Sequence, residues 1–336
     1  MYFSSKSRKG AIAETVLMVK PVDFCYNEET AGDNEFMKSL QVPKDELRSR
    51  VLKEFDGLVE KLREAGVEVL VVDKNEHPEL RDFYVPDAVF PNNWISSEPS
   101  GLLYTYPMYA PNRRAEKNAL PVVEKMLLEK NFKIKGIIQV GSDFSNDKGR
   151  FLEGTGSMII DRSTNTVFAC RSLRTCDKAF STFLDLSGYR GVLFDTKSST
   201  GTPFYHTNMI MSIGQEFIAI CLDAINNEEH RATVLKYLKD SGKEIIELTL
   251  EQVEKFCCGN ILEVRSKTTG SNVIVMSERA YKGFTSEQKS KLEKYGKILY
   301  SDINLLEEIG GGSARCMLCE IFLKKKTRSP TTISKE

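Results

Sequence analysis

The sequence predicts an α/β fold in which about five ββαβ units close into a ring around a central axis. Three observations lead there. Paired apolar strand segments, each pair split by a turn cluster, precede nearly every helix-length stretch. A single strand follows each of those helices. The first unit lacks one hairpin strand, and the chain closes on an apolar segment, CMLCEIFL, that can supply it. A doubly wound sheet alternates single strands with helices, so the hairpins argue against it. Units that cannot bury their own faces must pack on neighbours, and a ring with helices outside brings the strand ends to its centre.

The elements follow in order. TVLMVKPV is a strand, residues 44–65 carry a helical pattern, and VEVLVVD is the next strand. DAVFPNNWISS and GLLYTYPM flank the turn Glu98-Pro99-Ser100-Gly101. A helix is expected over residues 113–130, then the strand IKGIIQV. SMIID and TVFAC are split by the turn cluster RSTN. Residues 177–186 form the next helix, with Gly188 as its stop, and YRGVLFDTK follows. NMIMSI, a turn at Gly214-Gln215, FIAICLD, a helix over 228–239 and EIIELTL repeat the pattern. NILEVRS, NVIVMSE, a helix over 286–294 and KILYSD complete it. The expected organisation is one catalytic domain over residues 12–324 and a polar, solvated tail over 325–336.

Composition excludes several function classes. Lys+Arg and Asp+Glu are both 47 of 336 residues, so no global field favours nucleic acid or an anionic membrane. The longest apolar runs are strand-length, so no segment is expected to span a bilayer. The N-terminus lacks a long apolar stretch, which argues against a secretory signal and for a cytoplasmic protein. Several of the eight cysteines lie inside apolar strands, as in VFACRS and IAICLDA, where thiols are inert packing groups. Cys316 and Cys319 have CxxC spacing, but no second CxxC exists and His77, His206 and His230 are scattered. Neither a zinc site nor a redox couple fits, and no metal or organic cofactor is expected.

Chemistry concentrates at unit starts. Gly310 to Gly312 read as a loop that opens onto Ser313-Ala314-Arg315-Cys316 and lets backbone N–H groups approach a ligand. Arg315 beside Cys316 is expected to favour the thiolate. A buried structural cysteine is the plain alternative. His206 precedes an apolar strand in PFYHTNMIMS. Glu153 sits between Leu152 and Gly154, again before an apolar strand, where a carboxylate can orient His206 or hold a cationic group. Asp87, Asn92 and Asn93 lie in a proline-framed loop beside the single tryptophan, Trp94. Arg113 and Arg114 are placed to grip a substrate carboxylate, or else to begin a solvated helix.

The motifs DAVFPNNW, YPMYAPNRRAE, FLEGTGS, FYHTNMIMSIG and GGGSARCM, in that order, resemble the pentein superfamily of guanidino-group-modifying enzymes, in its amidinotransferase-like branch related to citrulline-utilising hydrolases. The resemblance covers about residues 12 to 324. It implies a five-bladed α/β propeller, with Cys316 as nucleophile, His206 as general acid/base and Glu153 as acidic partner. It also implies substrate-binding positions, among which Asn93 and Asn208 stand where many members carry aspartate. A guanidinium presents only donors and suits carboxylates; a ureido group adds a carbonyl acceptor, which an amide can match. The departure therefore points to a ureido substrate such as citrulline, or to an arginine-type substrate hydrolysed twice. Asp87, Asp143 and Asp147 stand as alternative sources of a carboxylate.

The expected reaction is addition of the Cys316 thiolate to the central carbon, protonation of the departing nitrogen by His206, and hydrolysis of an S-linked intermediate. Asn93, Asn208, Asp87, Arg113, Arg114, Gly312 and Arg315 are the expected substrate-binding residues. The partner is a small amino-acid-like molecule, and a homo-oligomer is compatible with the sequence. An amidinotransferase that passes the group to an amine, and a non-catalytic binding propeller, are the competing readings.

Overall fold

The computed structural model describes residues 12–141 and 149–326. Asp143, Asp147 and the tail beyond residue 326 lie outside the described residues.

The expected units are present as five three-stranded sheets. In the first, β1 (Thr15–Val19) and β2 (Glu68–Val72) run parallel, connected through α1 (Lys44–Glu64). In the second, β3 (Ile95–Ser97) pairs antiparallel with β4 (Leu102–Thr105), and α2 (Leu120–Glu129) leads to β5 (Gly136–Gln139), parallel to β4. The third repeats this with β6 (Met158–Asp161), β7 (Thr166–Cys170), α3 (Asp177–Ser187) and β8 (Arg190–Phe194). The fourth has β9 (Met211–Ile213), β10 (Phe217–Ile220), α4 (Glu228–Asp240) and β11 (Glu244–Glu247). The fifth has β12 (Leu262–Arg265), β13 (Asn272–Ser277), α5 (Ser286–Glu293) and β14 (Lys297–Ser301). Finally β15 (Cys319–Glu320) pairs antiparallel with β1, Val16 opposite Glu320, so the chain's end completes its first sheet.

Local chemistry explains the boundaries. The middle strands β7 and β10 are buried at every position, which is why they read as continuous apolar runs. Asn227 caps α4 by accepting from the His230 N–H, and Thr285 with Gln288 forms a capping box on α5. Gly188 ends α3 in the left-handed conformation. Two expectations are corrected. The stretch 113–130 is not one helix: a 3-10 segment, Asn112–Ala119, precedes α2. Pro121, with no N–H to continue the ladder, falls in the first turn of α2 and is compatible only with a fresh start there. Gly310 is not in a loop but ends the short helix Asn304–Gly310, and Gly311 caps it with positive φ.

The first strand of each unit lies innermost, and β3 touches β15, β6 touches β9, and β9 touches β12. Four of these strands are preceded by a single helical turn: Pro91–Asn93, Gly154–Ser157, Thr207–Met209 and Ala314–Met317. The turn Gly154–Ser157 packs on Pro91–Asn93 and on Thr207–Met209, and Pro91–Asn93 packs on Ala314–Met317. The repeat thus collects the starts of separate units at the axis. Among the described residues no helix is long and apolar enough to cross a membrane.

Candidate active site

Glu153, His206 and Cys316, read from three different units, all arrive at this axis, exposed by 0%, 1% and 2%. His206 Nε2 lies 2.9 Å from Glu153 Oε2. The other carboxylate oxygen accepts from the Tyr109 backbone N–H at 3.0 Å. Two guanidinium groups stand near the same carboxylate, Arg174 at 3.6 Å and Arg113 at 3.8 Å from Oε2. Burial alone would raise the Glu153 carboxyl, but Arg174, the hydrogen bond and charge of His206, and Arg113 outweigh it and hold it at about 2. Burial likewise disfavours the imidazolium of His206; Glu153 opposes this, Arg174 and Arg113 add to it, and the net shift is downward from 6.5. The resting pair is therefore a carboxylate and a neutral imidazole. A carboxylate only accepts, so the ring proton sits on Nε2 and Nδ1 keeps a free lone pair.

Glycine is what lets these groups meet. Gly154 has φ of 47°, and a Cβ there would fall 2.3 Å from the Asn92 carbonyl oxygen. A Cβ on Gly156 would fall 2.3 Å from Asn93 Nδ2 and 2.7 Å from His206 Nδ1. Gly156→Ala must displace one of two buried polar groups. We expect it to lower kcat/KM by about 100-fold or more, with about 1–3 kcal/mol of lost stability, read by steady-state kinetics and urea unfolding. A wild-type rate would mean that the Asn93–His206 spacing does not matter.

Cys316 Sγ receives two side-chain amide N–H groups, Asn208 Nδ2 at 3.3 Å and Asn260 Nδ2 at 3.2 Å. Asn93 is fixed in orientation: its Oδ1 accepts from Arg113 Nη1 at 2.8 Å and its Nδ2 donates to Asn92 Oδ1 at 3.1 Å. Asp87 Oδ2 accepts from Asn27 and Thr30, at 2.7 and 3.0 Å. Asp87 Oδ1, Asn208 Oδ1 and Asn92 Nδ2 are buried and have no hydrogen-bond partner among the described residues. Unpartnered buried polar atoms are costly, and three in these loops are ready partners for a polar ligand. Gly312 packs between the Phe90 ring and Cys316: an added Cβ would lie 2.9 Å from the ring and 3.3 Å from Cys316 Cβ.

The arginines are engaged within the protein. Arg113 does not face solvent. It is buried, with Nε 2.7 Å and Nη2 3.1 Å from the Glu116 carboxylate, and it also donates to the Phe90 carbonyl. Its partner three residues on, Glu116, is what makes burial of that charge tolerable. Arg114 donates to the Met108 and Tyr109 carbonyls and lies over the Phe151 ring. Arg315 turns away from the thiol: it donates to the Leu318 carbonyl and to Glu320, each at 3.1 Å. The Gly311 N–H closes its helix on Glu307, so it is not free to meet a ligand. Cys319 does not join Cys316; its thiol faces the Ile95 carbonyl at 3.3 Å.

Sequence reasoning missed Asn260, Arg174 and Asp33. Asn260 begins the fifth unit as Asn93, Glu153 and His206 begin theirs, so the same rule finds it. Arg174 is buried, stacks over Tyr205, and is gripped by both oxygens of Asp33 at 2.7 and 2.6 Å. Those two residues sit in unremarkable polar loops 141 positions apart, and no local pattern joins them.

Comparison with known proteins adds three findings. The model of one protein family, described as N,N dimethylarginine dimethylhydrolase, eukaryotic, matches residues 20–323. No curated protein matches the sequence. Among solved structures, the apo form of ArgZ, a cyanobacterial arginine dihydrolase of the ornithine-ammonia cycle, superposes with TM-score 0.66 at 15% identity over 94% of this chain and 41% of its own. The present chain thus spans about two fifths of that protein. The N-terminal domain of ArgZ in a cysteine-to-serine mutant bound to substrate gives TM-score 0.67 at 16% identity, covering 92% of this chain and 99% of that domain. A cysteine-to-serine mutant of DDAH from Pseudomonas aeruginosa complexed with citrulline gives 0.62 at 12%, covering 92% and 99%. At such identities these likenesses establish the fold, the pentein propeller.

Proposed function

The chain belongs to the eukaryotic N,N dimethylarginine dimethylhydrolase family, within the pentein superfamily of guanidino-group-modifying enzymes, and from that premise we propose that it hydrolyses the guanidino or ureido group of an arginine- or citrulline-like amino acid through a covalent Cys316 intermediate. The observation that carries the reading is the meeting, on one buried axis, of a thiol held by two amides and a carboxylate-bound neutral histidine. Unpartnered polar atoms from Asp87, Asn92 and Asn208 belong to the same inner loops. A structural neighbour, the N-terminal domain of ArgZ, is described with a covalently bound reaction intermediate, which supports the same route here.

The Cys316 sulfur adds to the central carbon, its proton passing to the free Nδ1 of His206. The tetrahedral adduct collapses, and His206 returns that proton to the departing nitrogen. Water then loses a proton to Nδ1, the hydroxide adds to the S-linked carbon, and the sulfur leaves, taking that proton back from His206 to restore the thiol and the neutral imidazole. Glu153 holds the ring and stabilises the imidazolium in both half-reactions, while Arg174 and Arg113 keep Glu153 ionised. Asn93 Oδ1 is already taken by Arg113, so this residue offers an N–H to substrate, whereas Asn208 Oδ1 offers an acceptor. A donor–acceptor pair of that kind suits a ureido group. Asp87 Oδ1 is a buried carboxylate oxygen without a hydrogen-bond partner among the described residues, left for a cationic nitrogen.

End-point mass spectrometry with citrulline, arginine and dimethylarginine tests this. We expect ornithine from citrulline. Citrulline accumulating from an arginine-type substrate without further conversion would defeat the argument from Asn93 and Asn208 and leave the thiol chemistry standing. No product from any of the three would defeat the hydrolase reading.

A further inference from the structure

One residue holds Cys316 at two points. Asn260 is fully buried; its Oδ1 accepts from the Cys316 backbone N–H at 3.3 Å and its Nδ2 donates to Sγ at 3.2 Å. The second Nδ2 proton goes to the Asn208 carbonyl at 3.0 Å. This network fixes which way the amide points. Turned over, it would set an NH2 group against the Cys316 N–H and an oxygen against the Asn208 carbonyl, two repulsions in a dry site. Asn260 therefore presents a donor, not an acceptor, to the sulfur.

The charge around Sγ makes that donor matter. Both hydrogen bonds to the sulfur come from neutral amides, Asn208 and Asn260. The neighbouring cation, Arg315, is engaged with Glu320. A buried thiolate without a cation in contact depends on hydrogen-bond donors that favour the charged form. The Cys316 N–H cannot serve the substrate either, because it is shared between Ser313 and Asn260.

We propose that Asn260 is a thiolate-stabilising residue of the reaction, its Nδ2–H acting with that of Asn208 to stabilise the charge that forms on Cys316 Sγ as the thiol proton passes to His206. The inference rests on the hydrolase reading, and its test does not require turnover. The thiolate absorbance of the full chain is titrated against pH, with the same titration of Cys316→Ser subtracted. Asn260→Ser removes the amide N–H that reaches Sγ, leaves only a shorter hydroxyl and adds no charge; Asn260→Asp keeps the shape, removes the donor and adds a negative charge. The Cys316 midpoint should rise by about one pH unit in Asn260→Ser and by more in Asn260→Asp. In kinetics, kcat should fall by about 10-fold at neutral pH with KM little changed, and Asn260→Ser should recover at alkaline pH. Should Asn260→Asp fail to fold, Asn260→Ser decides alone. An unmoved midpoint in a folded variant would overturn the proposal even if the wild type turns over citrulline. A raised midpoint with a wild type inert toward every substrate would uphold it and instead defeat the hydrolase reading.

Discussion

Cys316→Ala is expected to lower turnover by about 10,000-fold or more while the protein stays folded. The two halves of that expectation have separate causes. In the proposed reaction the thiol forms the bond to the substrate carbon, and it is Cys316 Sγ that receives the Asn208 and Asn260 amide donors. The fold has little at stake in it. Removing sulfur leaves the Asn208 and Asn260 N–H groups short of an acceptor, a cost of about 1–3 kcal/mol. The substitution should therefore keep a cooperative urea transition at a slightly lower midpoint. Turnover within about 10-fold of wild type would sink Cys316 as nucleophile; loss of the cooperative transition would make it a folding residue instead.

Glu153→Ala should be more damaging to the fold and nearly as damaging to activity. Arg174 and Arg113 both lie within 4 Å of this carboxylate, and all three groups are buried. Each guanidinium keeps its own partner, Glu116 for Arg113 and Asp33 for Arg174, but removing the carboxylate they share leaves excess positive charge and an unpaired Tyr109 N–H in a buried place, a loss of about 3 kcal/mol. His206 would also lose the partner that fixes its tautomer, with a rate loss of about 1,000-fold or more. The same charge balance sets a pH dependence. The Glu153 carboxyl is lowered from 4.5 to about 2 in the folded state. Its contribution is fully present above the unfolded value and is lost as pH falls through the folded one. For this buried group the difference corresponds to about 3 kcal/mol. Urea unfolding of wild type and Glu153→Gln across the acid range measures it: the two stability curves should converge as pH falls toward about 2. Parallel curves would mean that the carboxylate is not held ionised by its neighbours.

Much of this molecule is legible before any coordinates. Turn clusters such as RSTN between apolar segments, and stops such as Gly188, are local signals, and the β6–β7 hairpin and α3 stand where they say. Glu153, His206 and Cys316 are legible for a related reason: each begins a unit, and closure of the ring converts equivalent sequence positions into one place. Asn260 obeys the same rule. What the sequence hides is pairing at a distance. NRRAEK reads as a polar, solvated run, yet Arg113 is buried because Glu116 and Asn93 receive its guanidinium. Arg315 reads as a neighbour that would favour the Cys316 thiolate, yet Glu320 draws its charge away. Arg174 meets Asp33 only because the short helix Glu28–Ala31 and the turn after it fold against Arg174, whose guanidinium also donates to the Thr30 carbonyl, while the Asn34 amide reaches the Gly311 carbonyl. Periodicity reports which face of an element is buried; it does not report which buried charge finds which partner.

The proposed reaction passes through a covalent bond to Cys316. Rapid acid quench of enzyme with citrulline or dimethylarginine, followed by digestion and mass spectrometry, tests it most directly. A carbamoyl or amidino adduct is expected on the peptide carrying Cys316, appearing before product and absent from Cys316→Ala. Full-rate product formation with that peptide unmodified at every quench time, or continued turnover by Cys316→Ala, would contradict it.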